Sequence, residues 1–268
     1  MNLLETEDFN GGFFSCCSCR LGLIIDYIEY YNKLPDEVNS LLQYEKYKPQ
    51  PDMDVTFDFF ENYNNVNINI EIDPEKKIEL YHLSFQFNDY KKQNMKDIIP
   101  IVRKYFTPSK KILSYYDTLL QKYNIDLDNC IGIYYRGTDK ATETDLDSFE
   151  SYYDKLNEII YKNEKENKNI QILLQSDSAH FLDFMREKCT NKNIIIISEN
   201  ETSYTDIGIH NENNYYNNYI HIHNLFATFL IISKCKYIIC SSCNCSMWIM
   251  YFREKLTNVY QNLNKEWL

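Results

Sequence analysis

Residues 130–140 read CIGIYYRGTDK, an apolar run that passes directly into a charged loop. The apolar part is short and rich in Ile and Tyr, which predicts a buried β-strand over residues 130–135. A strand that is apolar along its whole length is typical of a parallel sheet with helices on both faces. Arg136, Asp139 and Lys140 would then follow the carboxyl end of that strand, where such sheets bind their ligands.

The rest of the second half alternates between strand and helix patterns. Further strands are predicted at 170–174, 193–197 and 237–240. Helices are predicted at 149–161, 223–233 and 246–252. Another helix is predicted to begin after Ser178, which would cap it. This alternation indicates an α/β fold with a parallel sheet in the C-terminal half.

Polar residues gather where the predicted strands end. These positions are 136–140, 175–177, 198–200 and 241–244. Because the carboxyl ends of parallel strands lie at one edge of a sheet, we expect these positions to form one site.

The first half carries fewer signals. Asn10, Gly11 and Gly12 precede Ser15 and the apolar segment 21–31, which predicts a glycine turn that opens a helix. The amides of such a turn can face an anion, and an ordinary tight turn without a ligand is the alternative. Strands are predicted at 55–60 and 66–72, and helices at 96–106 and 109–123. The polar stretch 126–129 predicts a boundary between an N-terminal lobe, 1–125, and a C-terminal lobe, 126–268.

The overall charge narrows the range of partners. A net charge of −11 and a sequence pI of about 5.0 disfavour nucleic-acid and membrane-surface binding, although one basic pocket can still hold a small anion. We expect no signal peptide and no transmembrane segment, since residues 1–10 are acidic and the most apolar run, 225–232, is short. The expected compartment is therefore the cytoplasm.

Two patterns raise the question of a metal. Clustered cysteines at 16–19 and 240–245 are compatible with zinc or an iron–sulfur cluster, but no histidine flanks them at ligand spacing, which favours buried free thiols. Asp52 and Asp54 form a D-x-D pair, yet they precede a predicted strand instead of ending one. We therefore predict no metal site.

The charged loop resembles a known motif. Residues 134–140, YYRGTDK, resemble the H-x-R-R-T-D-K motif of α-1,6-fucosyltransferases, within a fucosyltransferase superfamily of GT-B fold. LQSD at 174–177, ISEN at 197–200 and SSCNCSMW at 241–248 follow in that family's order. The last is also similar to the S-x-S-x-F-S-W-W run of α-1,2-fucosyltransferases. The resemblance implies two Rossmann-like lobes with the cleft between them.

The resemblance also implies an activity, the inverting transfer of L-fucose from GDP-fucose to a glycan or other hydroxyl acceptor, with no obligatory metal or other cofactor. By motif position, Arg136 would hold the β-phosphate, with Asp139 beside it, and Asp177 would accept hydrogen bonds from the guanine edge. The remaining donor-binding residues would be Ser198, Ser241, Ser242, Gly11 and Gly12.

Three residues are candidates for the chemistry itself. Arg136 and Lys140 would neutralise the departing GDP, and Glu143 would accept the proton of the acceptor. Tyr134 replaces the family's histidine, Gly137 replaces its second arginine, and Glu143 lies one residue nearer the motif than the family's base. An alternative is therefore a non-catalytic protein that binds a nucleotide or glycan, and a third hypothesis is a cysteine–metal protein.

Overall fold

Two β-sheets are present in the computed structural model, which describes residues 3–6, 9, 11–73, 86–163, 169–205 and 215–268. Their strands are β1 (Leu3–Glu5), β2 (Glu37–Asn39), β3 (Cys130–Tyr135), β4 (Gln171–Ser176), β5 (Asn193–Ile195), β6 (Tyr237–Ser241), β7 (Val259–Leu263) and β8 (Glu266–Trp267). The larger sheet has the order β5-β4-β3-β6-β7-β8 and is parallel except for β8, while β1 and β2 pair in parallel by themselves.

In the described part of the chain, four α-helices lie in the first half, and four more connect the strands of the second half. They are α1 (Phe13–Tyr31), α2 (Thr56–Phe59), α3 (Met95–Tyr105), α4 (Lys110–Lys122), α5 (Phe149–Asn163), α6 (Ala179–Lys188), α7 (Tyr215–Lys234) and α8 (Asn244–Arg253). Throughout the described ranges, every helix lacks the combination of length and apolar character that a bilayer crossing requires.

The central strand β3 is buried on both faces, as its continuous apolar run predicts. Cys130 and Tyr134 join the larger core cluster on one face of the sheet. Ile131, Ile133 and Tyr135 join a second cluster on the opposite face, which α5 and α6 complete. Because side chains alternate along a strand, each face of β3 enters a different core, and no polar residue fits inside the strand.

Gly132 allows α7 to lie close against the sheet. A Cβ atom at this position would be 2.9 Å from Ile232 Cγ2 in α7 and 3.3 Å from Sγ of Cys235, which follows α7. Both of these side chains are buried. Such distances are shorter than ordinary van der Waals contact, so the absence of a side chain sets the spacing between helix and sheet.

The variant Gly132→Ala should therefore lower the free energy of unfolding by about 1–3 kcal/mol, the usual range for overpacking a core. Urea denaturation followed by circular dichroism measures this change. In an Ile232→Ala background the same substitution should cause a smaller loss, because the nearest methyl group is gone. Equal losses in both backgrounds would contradict the steric explanation.

The two halves of the chain share one core. Trp248 of α8 is fully buried, and its ring lies 6.2 Å from Phe14 of α1 and 4.8 Å from Phe106. Its indole Nε1 donates to Ser18 Oγ at 3.0 Å, and Ser18 Oγ donates to Asn244 Oδ1 at 3.0 Å. The start of α8 is therefore fixed against α1. The division into lobes 1–125 and 126–268 stays a prediction.

Most of the predicted elements are confirmed. Strand β3 has the predicted bounds, and the other strands and the helices of the second half agree to within a few residues, except that α7 begins earlier, at Tyr215. Ser178 caps α6, since its Oγ accepts from Phe181 N at 3.4 Å. Ser109 likewise caps α4.

The two strands predicted at 55–60 and 66–72 are wrong. Residues Thr56–Phe59 form a helical turn, and Phe60 makes only an isolated bridge to Pro108. Residues 66–72 run without regular structure, with Ile70 and Ile72 partly buried against the core. Their apolar alternation is satisfied by this packing, and no strand in the described ranges lies alongside them to complete a hydrogen-bond ladder.

Candidate functional site

A cavity of about 350 Å³ lies where the carboxyl ends of β3 and β4 approach the start of α8. Residues from both halves of the chain line it. Most of the predicted site residues are among them, namely Gly11, Gly12, Arg136, Asp139, Lys140, Glu143 and Asp177. This is the position at which parallel α/β sheets bind their ligands.

The guanidinium of Arg136 is held between two carboxylates. Its Nη1 donates to Asp177 Oδ2, and its Nη2 donates to Asp139 Oδ1 at 2.5 Å. Asp177 also accepts from Gly137 N at 2.8 Å and from Thr138 Oγ1 at 2.6 Å. The aspartate after β4 therefore fixes the whole loop after β3, and the Arg136 side chain is only 16% exposed.

These carboxylates keep Arg136 charged. Burial opposes the charged form, but the negative charge of Asp177, with a smaller contribution from Asp139, outweighs it and raises the pKa of Arg136. A guanidinium held in one orientation presents a fixed positive charge to the cavity, which suits a phosphate or diphosphate.

Lys140 supplies a second buried cation. Its side chain is 3% exposed, and its Nζ donates to Gln86 Oε1 and to Glu143 Oε2, each at 2.6 Å. Glu143 is itself 44% exposed and lines the cavity. The ion pair thus places one carboxylate at the boundary between the cavity and solvent.

Two helices begin at the cavity. Helix α1 starts after Gly12, which offers no side-chain cap, and helix α8 starts at Asn244. Asn244 Nδ2 donates to Ser15 Oγ at 3.0 Å, which ties the two helix starts together. The amino-terminal end of a helix carries partial positive charge and N–H groups without helical partners, so both ends favour an anion.

The predicted glycine turn lies where the chain enters α1. A Cβ on Gly11 would be 2.4 Å from Phe9 Cε1, whereas one on Gly12 would meet nothing nearer than Tyr47 Oη at 4.0 Å. Gly11 therefore permits a close approach of its own chain, and Gly12 leaves room beside the cavity. Asn10 lies outside the described residues.

The three predicted serines, Ser198, Ser241 and Ser242, do not line the cavity. Ser241 Oγ accepts from Arg136 N at 2.8 Å, so it supports the loop after β3. Ser242 Oγ donates to Asn262 O at 2.8 Å, toward β7. Ser198 is exposed and lies 2.9 Å from Tyr123 Oη. Contact between these serines and a nucleotide stays a prediction.

Several residues of the cavity carried no strong sequence signal. They are Tyr47, Gln86, Asn218, His221 and Glu201. His221 Nδ1 accepts from Glu201 N at 3.4 Å, and burial lowers the pKa of His221 to about 4. This side chain is therefore a neutral imidazole near pH 7.

The patterns that suggested a metal have structural explanations. The nine cysteines form no disulfide, and most of them are buried. Asp54 Oδ1 accepts from Thr56 N at 2.9 Å and so begins the turn of α2. Across the part of the chain that the structure describes, no group of three or more His, Cys, Asp or Glu side chains is arranged to hold a metal ion.

No family model matches this chain, and no curated protein matches it. Solved structures are similar to it. NodZ α-1,6-fucosyltransferase soaked with GDP-fucose has a TM-score of 0.59 at 12% identity, over 97% of this chain and 94% of that chain. Selenomethionine NodZ from Bradyrhizobium has a TM-score of 0.59 at 10% identity, over 100% and 97%. NodZ co-crystallised with GDP has a TM-score of 0.56 at 12% identity, over 97% and 94%.

This similarity extends over almost the whole length of both chains. The chain therefore has the mixed α/β, GT-B-like fold of these fucosyltransferases, as the motif at residues 134–140 implies.

Proposed function

We propose that this protein is a glycosyltransferase that moves L-fucose from GDP-fucose to a hydroxyl acceptor with inversion at the anomeric carbon. One observation carries the proposal. Arg136 is held by Asp139 and Asp177 at the end of β3 and lines a cavity that Lys140 also lines. A diphosphate is the part of a sugar nucleotide that such an arrangement recognises.

The local charge supports an anionic donor although the whole chain is acidic. The net charge is −11, so a phosphate gains nothing from the general surface. Within the cavity, however, Arg136 and Lys140 are joined by the starts of α1 and α8. Because their orientations are set by bonds within the protein, little reorganisation is needed as charge develops on the leaving diphosphate.

The proposed reaction is one displacement. The acceptor hydroxyl oxygen attacks the anomeric carbon, the bond from that carbon to the diphosphate oxygen breaks, and GDP leaves with the electron pair. Arg136 and Lys140 stabilise the negative charge on GDP. Glu143 takes the hydroxyl proton, since it lines the same cavity beside Lys140 and is partly exposed.

The acceptor is proposed to bind on the side of residues 1–125. Gln86 bonds to Lys140, and the ring of Phe87, 38% exposed, lies 5.0 Å from Lys140 Nζ. An acceptor resting against this side would bring its hydroxyl toward Glu143. Among the similar solved structures, one NodZ crystal was soaked with GDP-fucose and another was co-crystallised with GDP, which agrees with a GDP-linked donor.

Calorimetry with GDP, UDP and ADP tests the donor proposal. GDP should bind at least about tenfold more tightly than the other two, a difference of ~1.4 kcal/mol. Absence of binding by all three nucleotides would contradict it.

The second candidate is a protein that binds the nucleotide without turning it over. Gly137 favours it, because a Cβ there would be 2.7 Å from Tyr135 Cε1 and 2.8 Å from Ser178 Cβ. The loop thus leaves no room for the second arginine of the family's motif. Release of GDP from GDP-fucose in the presence of an acceptor and EDTA separates the two candidates, since only the enzyme releases GDP.

The compartment is proposed to be the cytoplasm. The nine cysteines form no disulfide, as expected for a protein kept in a reducing environment. Fractionation of cells that express the full chain, followed by immunoblotting, would test this.

A further inference from the structure

Two cysteines lie next to each other on the wall of the cavity. Cys243 precedes α8, Cys245 is in its first turn, and both line the cavity together with Arg136. Cys245 is partly exposed, whereas Cys243 is 3% exposed. The two residues are two positions apart at the start of α8, and each thiol affects the pKa of the other. The proposed transfer of fucose uses neither thiol.

Cys243 has the surroundings of a reactive sulfur. Its Sγ accepts from Ser246 N at 3.4 Å and lies 3.3 Å from Ser246 Oγ, so it caps the start of α8. Burial acts to raise its pKa, but the bond from Cys245 and the charge of Lys140 outweigh burial and lower the pKa of Cys243. The pKa of Cys245 is raised, first by its bond to Cys243. The pair thus favours a thiolate on Cys243 with a thiol on Cys245.

We propose that Cys243 and Cys245 form a dithiol that peroxides oxidise to a disulfide inside the cavity. The Cys243 sulfur attacks one peroxide oxygen, the O–O bond breaks, and a sulfenic acid and hydroxide form. The Cys245 sulfur then attacks the Cys243 sulfur, the S–O bond breaks, and the second hydroxide leaves. The two thiol protons convert both hydroxides to water, so hydrogen peroxide receives the two electrons that the sulfurs lose.

Access through the cavity distinguishes this pair from another in the same protein. Cys130 likewise raises the pKa of Cys235, but both side chains are buried in the core at 0% and 1% exposure. A peroxide is small enough to enter a cavity of about 350 Å³, but it has no such route to the core pair. The two pairs differ in access, because Cys243 and Cys245 line the cavity whereas Cys130 and Cys235 do not.

Binding of the donor, which rests on the proposed function, would affect the access of peroxide to this dithiol. A diphosphate bound by Arg136 and the start of α8 would cover the two thiols, since all of these line the same cavity. Bound GDP should therefore slow the oxidation.

The test treats the full chain with hydrogen peroxide, blocks the remaining thiols with iodoacetamide and analyses tryptic peptides by mass spectrometry. Peptide 237–253 contains Cys240, Cys243 and Cys245. We expect it to carry one alkyl group and to have lost two hydrogens, with fragment ions locating the disulfide at 243 and 245. This should occur at least about tenfold faster than linkage of Cys130 to Cys235.

Two variants sharpen the result. Cys245→Ser should stop at the sulfenic acid, which dimedone traps on Cys243, whereas Cys189→Ser, at a buried cysteine of the second core cluster, should react like the unmodified chain. A fully alkylated 237–253 peptide, or equal rates for the two cysteine pairs, would overturn the proposal. If the disulfide forms but GDP does not slow it, the dithiol stands and the proposed nucleotide position fails.

Discussion

The variant Arg136→Ala should weaken GDP binding by about 100-fold or more, equivalent to the loss of one or two charge-assisted hydrogen bonds at ~1.5–3 kcal/mol each. The guanidinium is the best-oriented cation of the cavity, because Asp139 and Asp177 hold two of its nitrogens. Alanine would also leave those carboxylates without their partner, so they would repel the phosphates. Isothermal titration calorimetry with GDP measures the change directly.

A matched control is available in Arg186→Ala. Arg186 is exposed on α6 and pairs with Asp183 at 3.2 Å, away from the cavity lining. Its replacement should leave GDP affinity within about twofold, as usual for exposed pairs. A thermal melt of Arg136→Ala is needed beside the titration, since Asp177 would still hold Gly137 and Thr138 in a folded loop. Unchanged GDP affinity in a folded Arg136→Ala variant would refute the phosphate assignment.

The variant Glu143→Gln should lower the turnover of GDP-fucose by about 10²–10⁴-fold, the usual contribution of a general base. Glutamine keeps an oxygen that can accept the bond from Lys140, so the position of the ammonium is retained. It cannot take a proton from the acceptor. Because Glu143 is assigned no contact with GDP, the Kd for GDP should stay within about twofold of the original value.

The neighbouring carboxylate serves as the control for this experiment. Asp145 is exposed two residues further along, and Asp145→Asn removes the same charge from the same loop. It should leave turnover nearly unchanged. Full activity in Glu143→Gln would show that another residue is the general base. Equal losses of turnover in both variants would indicate a general effect of charge.

The pairing of Arg136 with Asp177 was not predicted, because the family resemblance assigns Asp177 to the guanine edge. Strands β3 and β4 are parallel with Tyr135 opposite Ser176, so the residue that follows each strand emerges beside the other. The sequence predicted both strands and the charged residues that follow them, whereas the ion pair depends on this register. The buried length of each strand is visible in the sequence because burial on both faces requires an apolar residue at every position.

The directions of the Ser241 and Ser242 side chains could not be predicted from the sequence. Ser241 is the last residue of β6, and Ser242 follows the strand, where the alternation of a strand no longer decides which way a side chain points. One bonds to the loop after β3 and the other to β7. The strands predicted at 55–60 and 66–72 failed for a related reason, since a strand needs a partner that its own residues do not specify.

The amino-acid order alone specifies where the chain is buried, where each strand of the second half ends and which charged residues follow. These properties depend on neighbours along the chain, and Arg136, Asp139 and Asp177 could be named on that basis. The cavity depends on contacts between distant residues, such as Lys140 with Gln86, 54 positions apart, and Asn244 with Ser15, 229 positions apart. No local pattern encodes such a contact, because it exists only after the separate elements have packed into one core.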